Sequence, residues 1–156
     1  MDKNRASKRF TIIIFTLTAL MICFAWVHSF FPANLSSQES EGVFKFVNQI
    51  FSFFGAGEAL TQKLIRKLAH FSEFTAIGFL LTSCGYCFDR LRPHRFVIPV
   101  LFSGLLAAVI DETIQLFVEG RAGMIADVWI DFGGVTTGFL LALAFYAIVR
   151  KIKHIR

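Results

Sequence analysis

Four long apolar stretches, separated by polar loops, dominate the chain. They cover residues 10–31, 68–88, 96–118 and 127–149. Each contains about 20 mostly apolar residues, the length that a helix needs to cross the hydrocarbon core of a bilayer. The pattern therefore predicts an all-α integral membrane protein with four transmembrane helices.

The four stretches differ in their polar content. The first contains no Asp, Glu, Lys or Arg, while the second is polar at its start, the third in its later half and the fourth in its first turns. Pro99 lies near the start of the third stretch, where a missing N–H costs least. We do not expect the first stretch to be a cleaved signal peptide, because its apolar run is too long and no clean small-residue cleavage site follows.

A shorter apolar pattern lies between the first two stretches. Apolar residues recur there at helical spacing, with polar residues on the opposite side: Val43, Phe46, Val47, Ile50 and Phe54. This segment is too short to cross a bilayer. It predicts a short amphipathic helix in the first outer loop, lying in the membrane interface or packed on the bundle as a linker.

Composition agrees with the membrane class. The chain has 156 residues, is 55% hydrophobic and contains 20 Phe, with a mean hydropathy of +0.61. We expect a basic N-terminus at residues 1–9 and a single membrane domain at residues 10–156. The net charge of +5 sits in clusters beside the apolar stretches, which is typical of topology signals, so no nucleic-acid partner is expected.

These clusters also predict an orientation. Lys and Arg concentrate in the N-terminus, in the loop after the second stretch and in residues 150–156. The positive-inside rule therefore predicts a multi-pass protein of the cell membrane with both termini in the cytoplasm. Lys45, Lys63, Arg66 and Lys67 weaken the rule in the first outer loop, whereas the third loop holds only Arg121.

On this topology, polar residues of the last three stretches and their loops gather at the outer end. They are Lys67, His70, Glu73, Asp111, Glu112, Gln115, Arg121, Asp127 and Asp131. An isolated Asp or Glu near a helix centre costs about 2.5–3.5 kcal/mol on insertion scales. These groups must therefore face each other, a counter-ion or a water-filled cavity.

Two interpretations of this polar set stay open. One is a structural network that fixes helix register. The other is an outward-facing pocket, in which Arg66, Lys67 and Arg121 suit an anionic head group or carboxylate. An enzyme would use His70, Glu73 or Glu112 as acid or base. No cofactor and no metal is expected, because one histidine among carboxylates is a weak metal signature.

Two further motifs carry structural interpretations. Cys84-x-x-Cys87 copies a redox spacing but lacks the strand–helix context of that motif, so we expect no redox role. Gly134-x-x-x-Gly138 predicts a close helix-packing face. That face serves either the bundle or a dimer, and the oligomeric state stays open.

The polar elements resemble those of the VanZ-like family, named for a teicoplanin-resistance determinant. The first, Lys67-x-x-His70-Phe71-x-Glu73-Phe74, is similar to the family's K-x-x-H-F-x-E-Y element, with Phe74 in place of Tyr. The first loop's LSSQES resembles its F-S-S-Q stretch. The second element comprises Asp111-Glu112-x-x-Gln115-x-Phe117, then Arg121, then Asp127-Val128. Asp131 departs from the family pattern, which usually has Asn there.

The resemblance implies an integral membrane protein, and some family members lower susceptibility to teicoplanin. We expect binding or modulation of an envelope lipid or lipid-linked cell-wall precursor, with a glycopeptide antibiotic as a further partner. The alternatives are a membrane-embedded enzyme acting on an outer-leaflet lipid and a proton-linked transporter. The transporter ranks last, because the inner halves of the stretches lack polar groups and inverted repeats are not visible.

Overall fold

The computed structural model describes residues 4–32 and 61–152, and the regular structure of this part is helical throughout. Its four long helices are α1 (Lys8–Ser29), α2 (Gln62–Phe88), α3 (Val97–Gln115) and α4 (Ile125–Ile152). A single 3-10 turn, Pro93–Phe96, leads into α3. The all-α prediction is confirmed, whereas the amphipathic helix predicted around residues 43–54 lies outside the described residues.

Local polar groups set the helix ends. Ser7 caps α1 by accepting a 3.3 Å hydrogen bond from the N–H of Phe10, and Thr61 caps α2 in the same way from Leu64. Such side-chain oxygens satisfy N–H groups that the first helical turn leaves free. After α3 the chain turns through Gly120, whose φ of 73° suits a residue without Cβ.

Three helical segments of the described chain are long and apolar enough to cross a membrane: Lys8–Ser29, Pro93–Gln115 and Ile125–Ile152. Helix α2 is not among them, so composition does not confirm the predicted count of four spans. The physical reason is its position, since α2 packs against α1, α3 and α4. A helix enclosed by neighbours exposes less surface to lipid and tolerates more polar residues.

Helices α2 and α4 pack most closely, through glycines. A Cβ added at Gly138 would lie 2.0 Å from the carbonyl oxygen of Thr75, and one at Gly134 would lie 2.5 Å from that of Phe71. On the other side, Gly78 faces the backbone of Val135. The close packing face predicted from Gly134-x-x-x-Gly138 is confirmed, and within this structure it serves the bundle.

The outer surface of the bundle is apolar. Ile98 and Phe102, for example, are 78% and 67% exposed, while Phe74 and Val135 are fully buried in the core. Water would disfavour so many exposed apolar side chains, whereas lipid accepts them. The helices therefore have the surface of a membrane protein.

The basic segments meet at one end of the bundle. The N–H of Ala6 donates to the carbonyl of Cys87 at 3.1 Å, and that of Arg90 donates to Asn4 at 2.9 Å. From the far end of α4, the Arg150 guanidinium donates to the carbonyl of Leu91. The N-terminal segment, the loop after α2 and the end of α4 thus share one side of the fold.

Candidate functional site: the polar end of the bundle

Polar residues from all four helices converge at the opposite end. Here α1 and α3 end and α2 and α4 begin, so the antiparallel arrangement brings four helix termini together. Buried polar side chains occupy this end: Ser29, His70, Asp111, Glu112, Gln115, Arg121 and Asp131. Buried polar groups of this kind need partners to offset their desolvation.

Asp111 lies at the centre and is fully buried. The hydroxyl of Ser29 donates to its Oδ1 at 2.7 Å, and the amide of Gln115 donates to its Oδ2 at 2.9 Å. The Nδ1 of His70 lies 3.9 Å from the same Oδ2. Two neutral donors therefore fix the orientation of the Asp111 carboxylate.

Glu112 joins the end of α3 to the start of α4. Its Oε2 accepts a 2.8 Å hydrogen bond from the backbone N–H of Met124, and its Oε1 accepts one of 3.1 Å from Gln115. Both oxygens are thus engaged, and the α3–α4 loop is held against the bundle.

Lys67 and Asp127 form an ion pair between α2 and α4. Both side chains are about four-fifths buried, with 24% and 18% of their surface exposed. Asp127 stands in the first turn of α4, where a negative charge is favoured by the helix dipole. The pair therefore links the N-terminal parts of α2 and α4.

Arg121 binds the backbone at the end of α1. Its Nε donates to the carbonyl of Phe31 at 2.8 Å, and its Nη2 donates to that of His28 at 3.3 Å. Carbonyls at a helix end lack intrahelical partners, and a cation there is favoured. Burial lowers the pKa of the guanidinium, but an arginine stays protonated at neutral pH.

Two histidines flank Glu73. The Nδ1 of His28 lies 3.8 Å from Oε1 of Glu73, and the Nδ1 of His70 lies 4.0 Å from its Oε2. The two imidazole rings are 6.2 Å apart. These separations exceed hydrogen-bond length, so the groups approach one another without direct bonding.

A cavity of about 10 Å³ opens between α2, α3 and α4. Its walls are Arg66, Lys67, His70, Glu112, Gln115, Asp127, Ile130 and Asp131. A space of about 10–15 Å³ holds one water molecule. A head group would need the cavity to widen.

Comparison with known proteins matches the chain to one protein family. A model of the VanZ/LLP1 family matches residues 13–147, most of the chain. The chain belongs to the VanZ/LLP1 family. No curated protein and no solved structure matches the chain.

The family assignment confirms the expected resemblance. In this VanZ/LLP1-family protein, the nine residues predicted for the site all lie at the polar end. Two residues that the sequence did not single out, His28 and Ser29, join them from α1. A signal existed for both, because they are adjacent polar residues near the C-terminal end of the mostly apolar first stretch.

Cys84 and Cys87 lie away from this end, within α2. Both are free thiols, and the hydroxyl of Thr18 lies 3.3 Å from the sulfur of Cys84. Their place inside a packed helix supports the interpretation that the spacing is structural. Among the described residues, the buried Asp, Glu, His and Arg side chains all lie at the polar end.

Proposed function

We propose that this VanZ/LLP1-family protein binds or modulates an anionic envelope lipid or lipid-linked cell-wall precursor at its polar end. The observation that supports this proposal most is the convergence of charged side chains from different helices around a small cavity in an otherwise apolar bundle. Charges in such a place are costly unless they serve a ligand, a counter-ion or water.

The proposal includes four transmembrane helices, with the polar end facing outwards. Helix α2 has 27 residues, a length of about 40 Å, which exceeds the bilayer core. The basic segments at the other end favour a cytoplasmic location for that end. The polar end would then meet the leaflet where envelope lipids and cell-wall precursors are exposed.

Lys67 is the residue that we expect to receive the anionic group. Arg66 also lines the cavity, while Asp127 neutralises Lys67 in the ligand-free arrangement. An anionic head group would compete with Asp127 for Lys67, and separation of that pair would widen the cavity. Arg121 adds positive charge near the site but does not contact the ligand directly, because its guanidinium donates hydrogen bonds to the end of α1.

Photo-crosslinking tests the binding. The purified protein would be irradiated in nanodiscs with a photoactivatable anionic phospholipid, a polyprenyl diphosphate and a neutral phospholipid. We expect labelling near the polar end by one of the anionic probes and at least fivefold less labelling by the neutral probe. Equal labelling by all three would refute specific anion recognition.

A more specific part of the proposal concerns susceptibility to glycopeptide antibiotics. Overexpression in a Gram-positive host should lower susceptibility to teicoplanin more than to vancomycin, because a lipid-tailed drug partitions into the leaflet that the polar end faces. His70→Ala, Glu73→Gln and Glu112→Gln should insert normally and lose this effect. Unchanged susceptibility with confirmed expression would contradict the resistance role.

The second candidate is an enzyme that acts on an outer-leaflet lipid. The observation that favours it is the pair His70 and Glu73, whose side chains approach within 4.0 Å without a hydrogen bond. Glu112 is a weaker acid or base candidate, because both its oxygens already accept hydrogen bonds. Product formation from labelled lipids by purified protein would distinguish this enzyme from a binding protein.

A further inference from the structure

Several buried polar atoms at the polar end have no hydrogen-bond partner among the residues that the structure describes. They include Nδ1 of His70, Oε2 of Glu73, Oδ2 of Asp131 and Nη1 of Arg121. Asp131 is 1% exposed and His70 is 9% exposed. Buried polar atoms are rarely left unbonded, and a cluster of them indicates a water or an ion between them.

Two of these residues, His70 and Asp131, lie with Asp111 around a common point. One ring nitrogen of His70, one carboxylate oxygen of Asp111 and one of Asp131 all lie within 4.8 Å of one another. Two ligand atoms on one zinc or manganese ion, each about 2.1 Å from it, are about 3.0–3.4 Å apart. The 3.9 Å between His70 and Asp111 exceeds this range by less than 1 Å, and the other separations, up to 4.8 Å, would have to shorten further when an ion binds.

The charges at this point also call for a cation. Asp111 and Asp131 are both buried, and like charges in a low-dielectric interior repel strongly. Of the neighbouring cations, Lys67 is paired with Asp127, whereas the charge of Arg121 acts on Asp111 and offsets part of the repulsion. A divalent ion would neutralise the two carboxylates and satisfy the unbonded atoms of His70 and Asp131 together.

The geometry points to a binding site for a divalent transition-metal ion, with His70, Asp111 and Asp131 as ligands. Glu73 stands next to this set, with its Oε2 4.0 Å from Nδ1 of His70. An imidazole with carboxylates suits zinc, manganese or iron(II), whereas calcium and magnesium prefer oxygen alone.

The surroundings of Asp111 resemble the outer shell of a metal site. Ser29 and Gln115 donate hydrogen bonds to its two oxygens, and such bonds orient ligating carboxylates in metalloproteins. The adjoining cavity borders both His70 and Asp131 and has room for one water. That water would complete the coordination.

This inference stands apart from lipid binding, because the ion can be bound with no lipid present. The test is metal analysis of the full chain, purified in detergent, stripped with a chelator and dialysed separately against zinc, manganese or iron(II). We expect about one ion per chain for at least one metal. His70→Ala and Asp131→Asn should weaken its binding by at least tenfold.

Two variants control for loss of charge alone. Asp89→Asn removes a carboxylate at the opposite end of the bundle, where Asp89 accepts hydrogen bonds from the backbone of Leu91 and Arg92. Glu119→Gln removes an exposed one in the α3–α4 loop. Both should keep the ion with the affinity of the wild type. Loss of binding in all four variants would assign the effect to general charge and overturn the ligand set.

A second measurement protects the test against misfolded variants. A ligand that binds only the folded state raises the Tm, so the favoured metal should raise the wild-type Tm and a chelator should reverse the rise. Asp131→Asn should show neither effect. A wild-type protein that neither binds nor is stabilised by any of the three metals would overturn the proposal and leave water or a shared proton at this point.

Discussion

Arg121 illustrates how one side chain can be tied to the scaffold and to the site at once. The sequence places it in a short outer loop, where it suits an anionic ligand. In the structure its guanidinium binds two carbonyls at the end of α1, while its charge acts on Asp111, Glu112 and Glu73. Removal of Arg121 therefore affects the fold and the charge balance together.

We predict that Arg121→Ala lowers stability. Charge-assisted hydrogen bonds contribute about 1.5–3 kcal/mol each, so the Tm of the purified protein in detergent should fall by several degrees. Arg121→Lys should recover only part of the loss, because one ammonium cannot copy the planar fork of a guanidinium. Glu119→Gln is the control in the same loop, and an unchanged Tm in Arg121→Ala would contradict the capping role.

A second prediction uses the Lys67–Asp127 pair to test ligand recognition. Asp127→Asn should free Lys67 and increase labelling by the anionic lipid probe severalfold. Lys67→Met should decrease it, because the receiving charge is lost. If the pair were purely structural, the two variants would not change labelling in opposite directions, because each would weaken the fold. Labelling that falls equally in both variants would identify the pair as scaffold.

At the scale of helices, the close contact between α2 and α4 depends on glycines, which have no side chain to keep the two backbones apart. The Cβ of an alanine at position 138 would overlap the backbone of Thr75 and Phe79, and backbone cannot move aside as a flexible side chain does. The contact also sets the distance between His70 on α2 and Asp131 on α4. Packing in the middle of the bundle and geometry at its polar end are therefore coupled.

We predict that Gly138→Ala destabilises the protein while Gly133→Ala does not. Overpacking typically costs about 1–3 kcal/mol, and the nearest atom to an added Cβ at Gly133 is 3.7 Å away, an ordinary contact. Tm in detergent and the fraction of monodisperse protein measure the difference. Equal behaviour of the two variants would mean that α2 and α4 are farther apart than described.

The sequence predicted the helices better than their ends. The predicted stretch 68–88 is a helix, but it begins at Gln62, because Thr61 supplies a cap that hydropathy does not record. The stretch 96–118 ends early, at Gln115, where the turn towards Gly120 begins. The apolar pattern indicates which part of a helix lies in an apolar environment. Caps and turns decide at which residue the helical hydrogen bonds begin and end.

At the site too, the sequence predicted contacts within one helix but not contacts between helices. Helical spacing correctly placed Glu112 and Gln115 on one face, and a 3.1 Å hydrogen bond joins them. Partners on other helices could not be derived from spacing, since they depend on how the bundle assembles. The bond from Ser29 to Asp111 and the bond from Arg121 to Phe31 are examples.

At the scale of the whole molecule, two chemically different ends face opposite directions. One end collects the basic N-terminal segment, the loop after α2 and the end of α4. The other collects the polar site, and apolar side chains cover the surface between them. A protein of this form is expected to lie across a bilayer with the more basic end in the cytoplasm.

Cysteine accessibility on whole cells tests that orientation. In a background lacking Cys23, Cys84 and Cys87, a cysteine replacing Ala122 should react with an impermeant thiol reagent, whereas one replacing His94 should react only after the cells are opened. Both positions are exposed, so access and not burial decides the outcome. The neighbouring position Gly123 is unsuitable for the cysteine, because an added Cβ would lie 2.3 Å from the carbonyl oxygen of Glu112. Reversed labelling would put the polar end in the cytoplasm and remove the basis for outer-leaflet recognition.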